Sequence, residues 1–297
     1  MLDVIIIGGS YSGLAAGMAL GRARRDVLII DQGEPCNMQT PQSHNFITQD
    51  GSSPAEINRI ARQQVAKYKT IQFFDGLVTG VVRREKDFII STSNRDIFYS
   101  KKIIFATGIR DIMPEIEGFH SCWGISVLHC PYCHGYEVRN KNTGILGNGE
   151  SGFEFARIIS NWTKNLTLYV NGSSTLTAGQ TKQLDAHQIK IVEGEIEQLL
   201  HEGGHIQNLR FKSGKMCPIE VLYAPGSFRQ HCTIPKDLGC EHTEDGYIKT
   251  DAFQKTTEAG IYACGDNTNR IRTLANAVAS GTTAGMMLNK EIIVENF

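Results

Sequence analysis

The strongest constraint on the fold is a pattern that the chain uses twice. Asp3 to Gly8 is a short β-branched run, which predicts a buried parallel strand. Gly8-Gly9-Ser10-Tyr11-Ser12-Gly13 follows, then a helical pattern from Leu14 to Gly21, then a strand from Val27 to Ile30 that ends at Asp31. Gly144 to Leu146, the turn Gly147-Asn148-Gly149-Glu150-Ser151-Gly152, a helix from Phe153 to Trp162 and a strand from Leu166 to Val170 repeat that order. Each unit closes on a polar residue and a glycine, Asp31-Gln32-Gly33 in the first and Asn171-Gly172 in the second. This is a βαβ dinucleotide unit: the glycines let the backbone approach a pyrophosphate, and the helix N-terminus meets its charge. Two such units predict an α/β fold with two Rossmann-like dinucleotide-binding domains.

The two units differ where a nucleotide is identified. Asp31 lies 18 residues beyond Gly13, where an acid hydrogen-bonds a ribose hydroxyl. Ser10 stands in place of the middle glycine. The second unit ends Tyr169-Val170-Asn171-Gly172-Ser173-Ser174, with no acid for the ribose of NADH and no arginine for the 2′-phosphate of NADPH. Asn171 can offer only neutral hydrogen bonds. The second unit is therefore committed to a fold more firmly than to a ligand.

Between the units, Cys36 to Gly51 is polar and turn-rich and contains His44-Asn45-Phe46. It reads equally as a segment along a bound cofactor or as a surface loop. Pro54 to Lys67 is helical with Ser53 as N-cap, and Ile71 to Phe98 alternates as short antiparallel strands. Ile103 to Ala106 is another buried strand, closed by Thr107-Gly108, and Pro114 marks a domain edge. Lys190 to Met216 predicts more short strands with a turn at Gly203-Gly204. Gly260 to Asp266 is a strand ending in Gly265-Asp266, and a final helix rich in small residues starts near Leu274.

A length of 297 residues fits two domains. The net charge is -1 with scattered basic residues, which argues against nucleic acid or a membrane surface as partner. No apolar run approaches the ~20 residues of a membrane span. The N-terminal apolar run lacks a cleavage site, so a cytoplasmic location is expected, and the eight cysteines are not read as a disulfide framework.

Two of those cysteines stand apart. Cys130-Pro131-Tyr132-Cys133-His134-Gly135-Tyr136-Glu137 is a CxxC just upstream of the second glycine turn. Two cysteines so spaced can close and reopen a small disulfide ring, and beside βαβ patterns they read as redox-active. Thiolate chemistry needs a proton acceptor, and His134 is the candidate general acid/base next to Cys133; the bland alternative is a residue that caps the turn into Gly135. His129 is an even choice between the two roles. Glu137 reads as a structural or surface residue. Zinc is not expected, because a structural site needs four ligands and no second CxxC or CxxH exists.

Taken in order, the loop Gly8 to Gly13, Ala106-Thr107-Gly108, Cys130 to Gly135, Gly147 to Gly152 and Gly260 to Asp266 resemble the low-molecular-weight thioredoxin reductases and their relatives, across nearly the whole chain. The resemblance implies a discontinuous FAD domain (1–112 and 243–297) of three-layer ββα type, with an NAD(P)H-type domain (113–242) inserted in it and carrying the CxxC. It implies FAD contacts from Gly8, Ser10, Tyr11, Ser12, Gly13, Asp31, Asn45, Ala106, Thr107, Gly108, Gly265, Asp266, Thr273 and Leu274. A second nucleotide would meet Gly147, Gly149, Glu150, Ser151 and Asn171. It also implies a homodimer, Cys133 next to the flavin, Cys130 as the interchange thiol, and a thioredoxin-like protein or a small disulfide or dithiol as partner.

Three departures stand out. His134 replaces the usual acid after the second cysteine, the arginines for NADPH are missing, and Arg272-Thr273 replaces an arginine-glutamine pair. They resemble the dithiol oxidase branch and members fed by a donor other than NADPH. The expectation is thus an FAD-dependent thiol-disulfide oxidoreductase. A dithiol oxidase using oxygen and a non-catalytic flavin redox sensor are the alternatives.

Overall fold

The computed structural model describes residues 1–297. The chain divides into two compact units, one of residues 1–38, 45–110 and 228–297, the other of residues 39–44 and 111–227.

The first unit is built on a parallel sheet whose central strand is Leu2–Ile7. It pairs in parallel with Val27–Asp31 on one side and with Ile97–Phe105 on the other. Alternation along a strand sends neighbouring residues to opposite faces. Val4 and Ile6 face the helices Tyr11–Arg22 and Leu274–Asn296, packing with Leu14, Leu20 and Leu288. Ile5 and Ile7 face the other way, onto Phe88, Ile90 and Ile248. A strand buried on both faces needs an unbroken apolar run, which is why this one reads Val-Ile-Ile-Ile. The antiparallel strands Val78–Arg83 and Phe88–Thr92 supply the third layer. Ile71–Asp75, expected to join that antiparallel set, pairs in parallel with Val27–Asp31 instead, and so forms the edge of the main sheet. Its alternating pattern fits an edge as well as a meander, so periodicity alone does not separate the two.

The second unit repeats the architecture. Thr143–Leu146 lies between Leu166–Tyr169 and Val221–Tyr223 in an all-parallel sheet. One face packs Ile145 and Leu168 on Phe153, Ala156 and Ile159 of the helix Gly149–Ile159. The other face meets a three-stranded antiparallel sheet through Tyr169, Leu199, Leu209 and Phe211. The helix Ala178–Ala186, closed by a capping box between Thr177 and Gln180, has no counterpart in the sequence reading. Its apolar content is too low to give a helical stripe.

The two crossings between the units, Ile109–Ile112 and Ser227–Gln230, pair as a two-stranded sheet. The return crossing thus falls near residue 228 rather than 243. Residues 228–242 belong to the first unit, where Ile234 and Cys240 enter the apolar layer with Ile248. No helix is long and apolar enough to cross a membrane.

Candidate functional site

The first glycine turn is a cradle that only small residues allow. A Cβ on Gly13 would stand 1.9 Å from the Gly8 carbonyl oxygen, and one on Gly8, at φ +105°, would stand 2.3 Å from that of Ala106. These positions let the turn fold back on the strand ends. The helix it opens, Tyr11–Arg22, has Ser10 at its N-cap with no side-chain hydrogen bond to its first turn. The other helices of nine residues or more carry side-chain caps, from Ser53, Asn148, Thr177 and Thr273. The uncapped first-turn N–H groups suit an anionic ligand.

Asp31 ends the neighbouring strand, with its Cβ 2.8 Å from where a Cβ on Gly9 would lie. Gly265, at φ +89°, sits over Ser12, and the Asp266 carboxylate lies 4.0 Å from Arg272 Nε. The Asn267 amide donates to the Phe105 carbonyl and to Thr107 Oγ1, tying the two strand ends together. The Tyr11 hydroxyl donates to the Pro54 carbonyl, and Leu274 packs in the same small apolar cluster as Tyr11. Thr273 caps the last helix by accepting from Asn276 N. Asn45 is exposed at φ +58°, with its N–H on Asp50. The residues expected for FAD at the strand ends therefore converge: a glycine cradle, an open helix N-terminus and an acid on each side fit its pyrophosphate and ribose.

The second glycine turn closes on itself. A Cβ on Gly152 would stand 2.6 Å from the Gly147 carbonyl carbon. Here the polar side chains bind one another. Asn148 Oδ1 accepts from Gly149 N, Thr175 N and Thr175 Oγ1, and its amide donates to the Ser173 carbonyl. Ser151 donates to the Asn148 carbonyl, and Glu150 accepts from Gln180. Asn171, at φ +49°, gives its carboxamide oxygen to Ile196 N. Its oxygen is thus spent on the antiparallel sheet rather than offered to a nucleotide. No lysine or arginine occurs between residues 165 and 181. The residues present do not fit a 2′-phosphorylated pyridine nucleotide.

Cys130 and Cys133 are joined as a disulfide. Cys130 is the N-cap of the short helix Pro131–His134, with the ring of Pro131 fixing the first helical position. Cys130 Sγ accepts the Cys133 N–H at 3.1 Å. Both cysteines are half-buried, whereas the Tyr132 ring between them is 69% exposed and meets Trp162 edge-on at 5.2 Å. Gly135 makes this packing possible, since a Cβ there would stand 2.7 Å from the Trp162 indole. His129 stacks on Trp123, with ring centroids 5.7 Å apart.

His134 follows Cys133 and is partly buried. Burial depresses its pKa, the neighbouring His44 depresses it further, and Glu137 opposes both. His134 is thereby a neutral base at physiological pH. Glu137, read as a structural or surface residue, is exposed, and its Oε1 lies 3.7 Å from His44 Nδ1. His44 arrives there because residues 39–44 leave the first unit and belong to the second. A Cβ on Gly124 would stand 2.9 Å from Thr40 Oγ1, so this strap lies close on the second unit. The i,i+3 spacing of His134 and Glu137 was available in the sequence; nothing there placed His44 beside them.

Comparison with known proteins agrees with this geometry. The sequence profile of the pyridine nucleotide-disulphide oxidoreductase family matches residues 2–281. Thioredoxin reductase tcpT of Claviceps purpurea is 29% identical, over 99% of this chain and 95% of that protein. Among solved structures, an oxidoreductase from Agrobacterium tumefaciens is 34% identical with a TM-score of 0.92, covering 99% of each chain. A putative thioredoxin reductase TrxB from Bacillus anthracis is 28% identical with a TM-score of 0.95, covering 100% of each.

Proposed function

The chain belongs to the pyridine nucleotide-disulphide oxidoreductase family, and from that premise we propose that it is an FAD-dependent thiol-disulfide oxidoreductase of the thioredoxin reductase type. It moves two electrons between FAD, the Cys130–Cys133 pair and an external disulfide or dithiol. The observation that carries this reading is the closed Cys130–Cys133 ring with the neutral base His134 directly after it.

FAD, when bound by the first unit, supplies the two-electron chemistry. The residues around Gly8, Asp31 and Asp266 hold it, and the unit of residues 1–38, 45–110 and 228–297 is the FAD-binding domain. The protein's own work lies at the cysteines. His134 takes the proton of a thiol as the thiolate forms and returns it to the leaving sulfur. Cys130 is the interchange thiol, and Cys133 is the sulfur on the flavin side. In the reducing direction the Cys130 thiolate attacks an external disulfide and expels one thiol. Cys133 then attacks the mixed disulfide, expels the second thiol and closes the ring.

A second reading, a dithiol oxidase or a reductase fed by a donor other than NADPH, is favoured by the second glycine turn, whose polar groups are already paired and whose strand end carries no cation. In the oxidase direction an external dithiol would open the ring and leave as a disulfide, and bound FAD would supply the route for the electrons to oxygen or another acceptor. The partner is a thioredoxin-like protein or a small disulfide or dithiol. The enzyme acts as a cytoplasmic homodimer. Light scattering of the purified protein tests the dimer.

Turnover tests the function. The yellow protein should catalyse thiol-disulfide exchange that Cys130→Ser abolishes while flavin content stays unchanged. A Cys130→Ser protein with full turnover would remove the reading, and turnover in neither direction would leave a flavin sensor.

A further inference from the structure

Beside the redox ring the second unit carries a groove with a strong chemical bias. It is open, about 350 Å³ in volume, and is lined by Arg139, Asn140, Asn161, Trp162, Lys164 and Asn165 together with Thr163. No carboxylate lines it. Its two cations have only uncharged acceptors. Arg139 donates to the Tyr136 carbonyl and lies 4.0 Å over the Tyr136 ring, and Lys164 donates to the Ser160 carbonyl. Three other basic groups on this unit are balanced by carboxylates, Arg157 by Glu154, Arg210 by Glu197 and Lys212 by Glu195. Three carboxamides between two uncompensated cations make a surface that favours a carboxylate, which takes hydrogen bonds as well as charge.

The groove is also joined to the cysteines. Its Trp162 wall meets Tyr132, the residue between Cys130 and Cys133. Tyr132 and Tyr136 are 69% and 68% exposed, so the face from the ring to the groove is aromatic at one end and cationic at the other.

We propose that this groove is the specificity site of the exchange reaction and that it selects small disulfides or dithiols bearing a carboxylate. The apolar part of such a molecule rests on Tyr132 and Trp162, and its carboxylate is held between Arg139 and Lys164. The inference rests on the thiol-disulfide reading above. The reaction it concerns is enzyme dithiol plus RSSR giving enzyme disulfide plus two RSH, with two electrons and two protons passing from the cysteines to the substrate.

The test uses FAD-loaded protein, reduced with dithiothreitol and freed of it without oxygen. Dithiodipropionate (anionic), hydroxyethyl disulfide (neutral) and cystamine (cationic) are then supplied separately, and ring closure is timed. Each rate is normalised to the same disulfide's reaction with free dithiothreitol, which removes intrinsic reactivity. The dianion should react about tenfold faster than the neutral disulfide, as two exposed ion contacts allow, and cystamine slowest. The preference should fall several-fold in high salt. It should disappear in Arg139→Gln/Lys164→Gln and persist in Arg139→Lys, which keeps the charge. Equal normalised rates for all three disulfides would overturn the groove's role while leaving the exchange reading intact. No ring closure with any of them would overturn the exchange reading itself, and the inference with it.

Discussion

Glu137 Oε1 stands 3.7 Å from His44 Nδ1, and both residues act electrostatically on His134 with opposite signs. The sequence separates them widely, and only the strap of residues 39–44 brings His44 into the second unit. Burial lowers the pKa of the base beside Cys133, and the pair adjusts it in opposite directions.

That gives a signed pH prediction. Burial, then His44, lower the pKa of His134, so the exchange rate should rise with pH through a midpoint below the free-histidine value of ~6.5. His44→Asn removes a repelling neighbour and should raise the midpoint toward 6.5, while Glu137→Gln should lower it further. His134→Gln should slow exchange by about 10²-fold and erase this limb. Stopped-flow rates from pH 5 to 8 check all three variants. An unmoved midpoint in both neighbour variants would detach the pair from His134.

The same site shows what sequence can and cannot reveal. Both glycine turns were legible because local backbone geometry restricts the residues allowed there, and the cysteine pair because a CxxC spacing suits a small ring. A Cβ on Gly13 would stand only 1.9 Å from the Gly8 carbonyl oxygen. His44 was not legible, since its role comes from a chain crossing with no local pattern. Ile71–Asp75 shows the same limit in the fold, because alternation reports a half-buried strand and not its partner. Asn171 read as a neutral ligand for a nucleotide, but its oxygen goes to Ile196 N across a turn that spacing could not foresee.

Helix packing under the cradle makes a second prediction. A Cβ on Gly281 would stand 2.0 Å from the Ser12 carbonyl oxygen, and one on Gly285 would stand 2.7 Å from that of Ala16. Gly281→Ala must push the last helix away from the helix that opens at Tyr11. It should cost about 1–3 kcal/mol and lower the flavin content of the purified protein. Denaturant unfolding and the flavin-to-protein absorbance ratio measure the two effects.

Glu291 gives a stability prediction with a pH sign. Burial alone would raise its pKa, but hydrogen bonds from Lys102, Lys255 and Tyr262 outweigh this and hold it at about 2. A carboxylate depressed in the folded state stabilises above its unfolded pKa, and that contribution is lost as pH falls through the folded value. Stability should therefore decline between the ordinary glutamate value of ~4.3 and about 2. Glu291→Gln should flatten the decline and lower the Tm at neutral pH by roughly 2–8 °C. Calorimetry across that pH range checks both.

The paired polar groups of the second glycine turn predict indifference to pyridine nucleotides. A ligand at a hundred times its Kd stabilises a fold by about 2.7 kcal/mol, which thermal unfolding detects readily. Millimolar NADPH or NADH should leave the unfolding temperature unchanged, whereas added FAD should raise that of flavin-depleted protein. A clear upward shift with NADPH would show that the turn opens to admit it.

The most direct measurement is anaerobic flavin absorbance. The yellow protein is mixed separately with excess dithiothreitol, NADPH and NADH in the absence of oxygen. The dithiol should bleach the flavin, Cys130→Ser should lose that bleaching, and neither nucleotide should bleach it. Rapid bleaching by NADPH, undiminished in Cys130→Ser, with none from the dithiol, would contradict the claim that electrons reach this flavin through the Cys130–Cys133 pair.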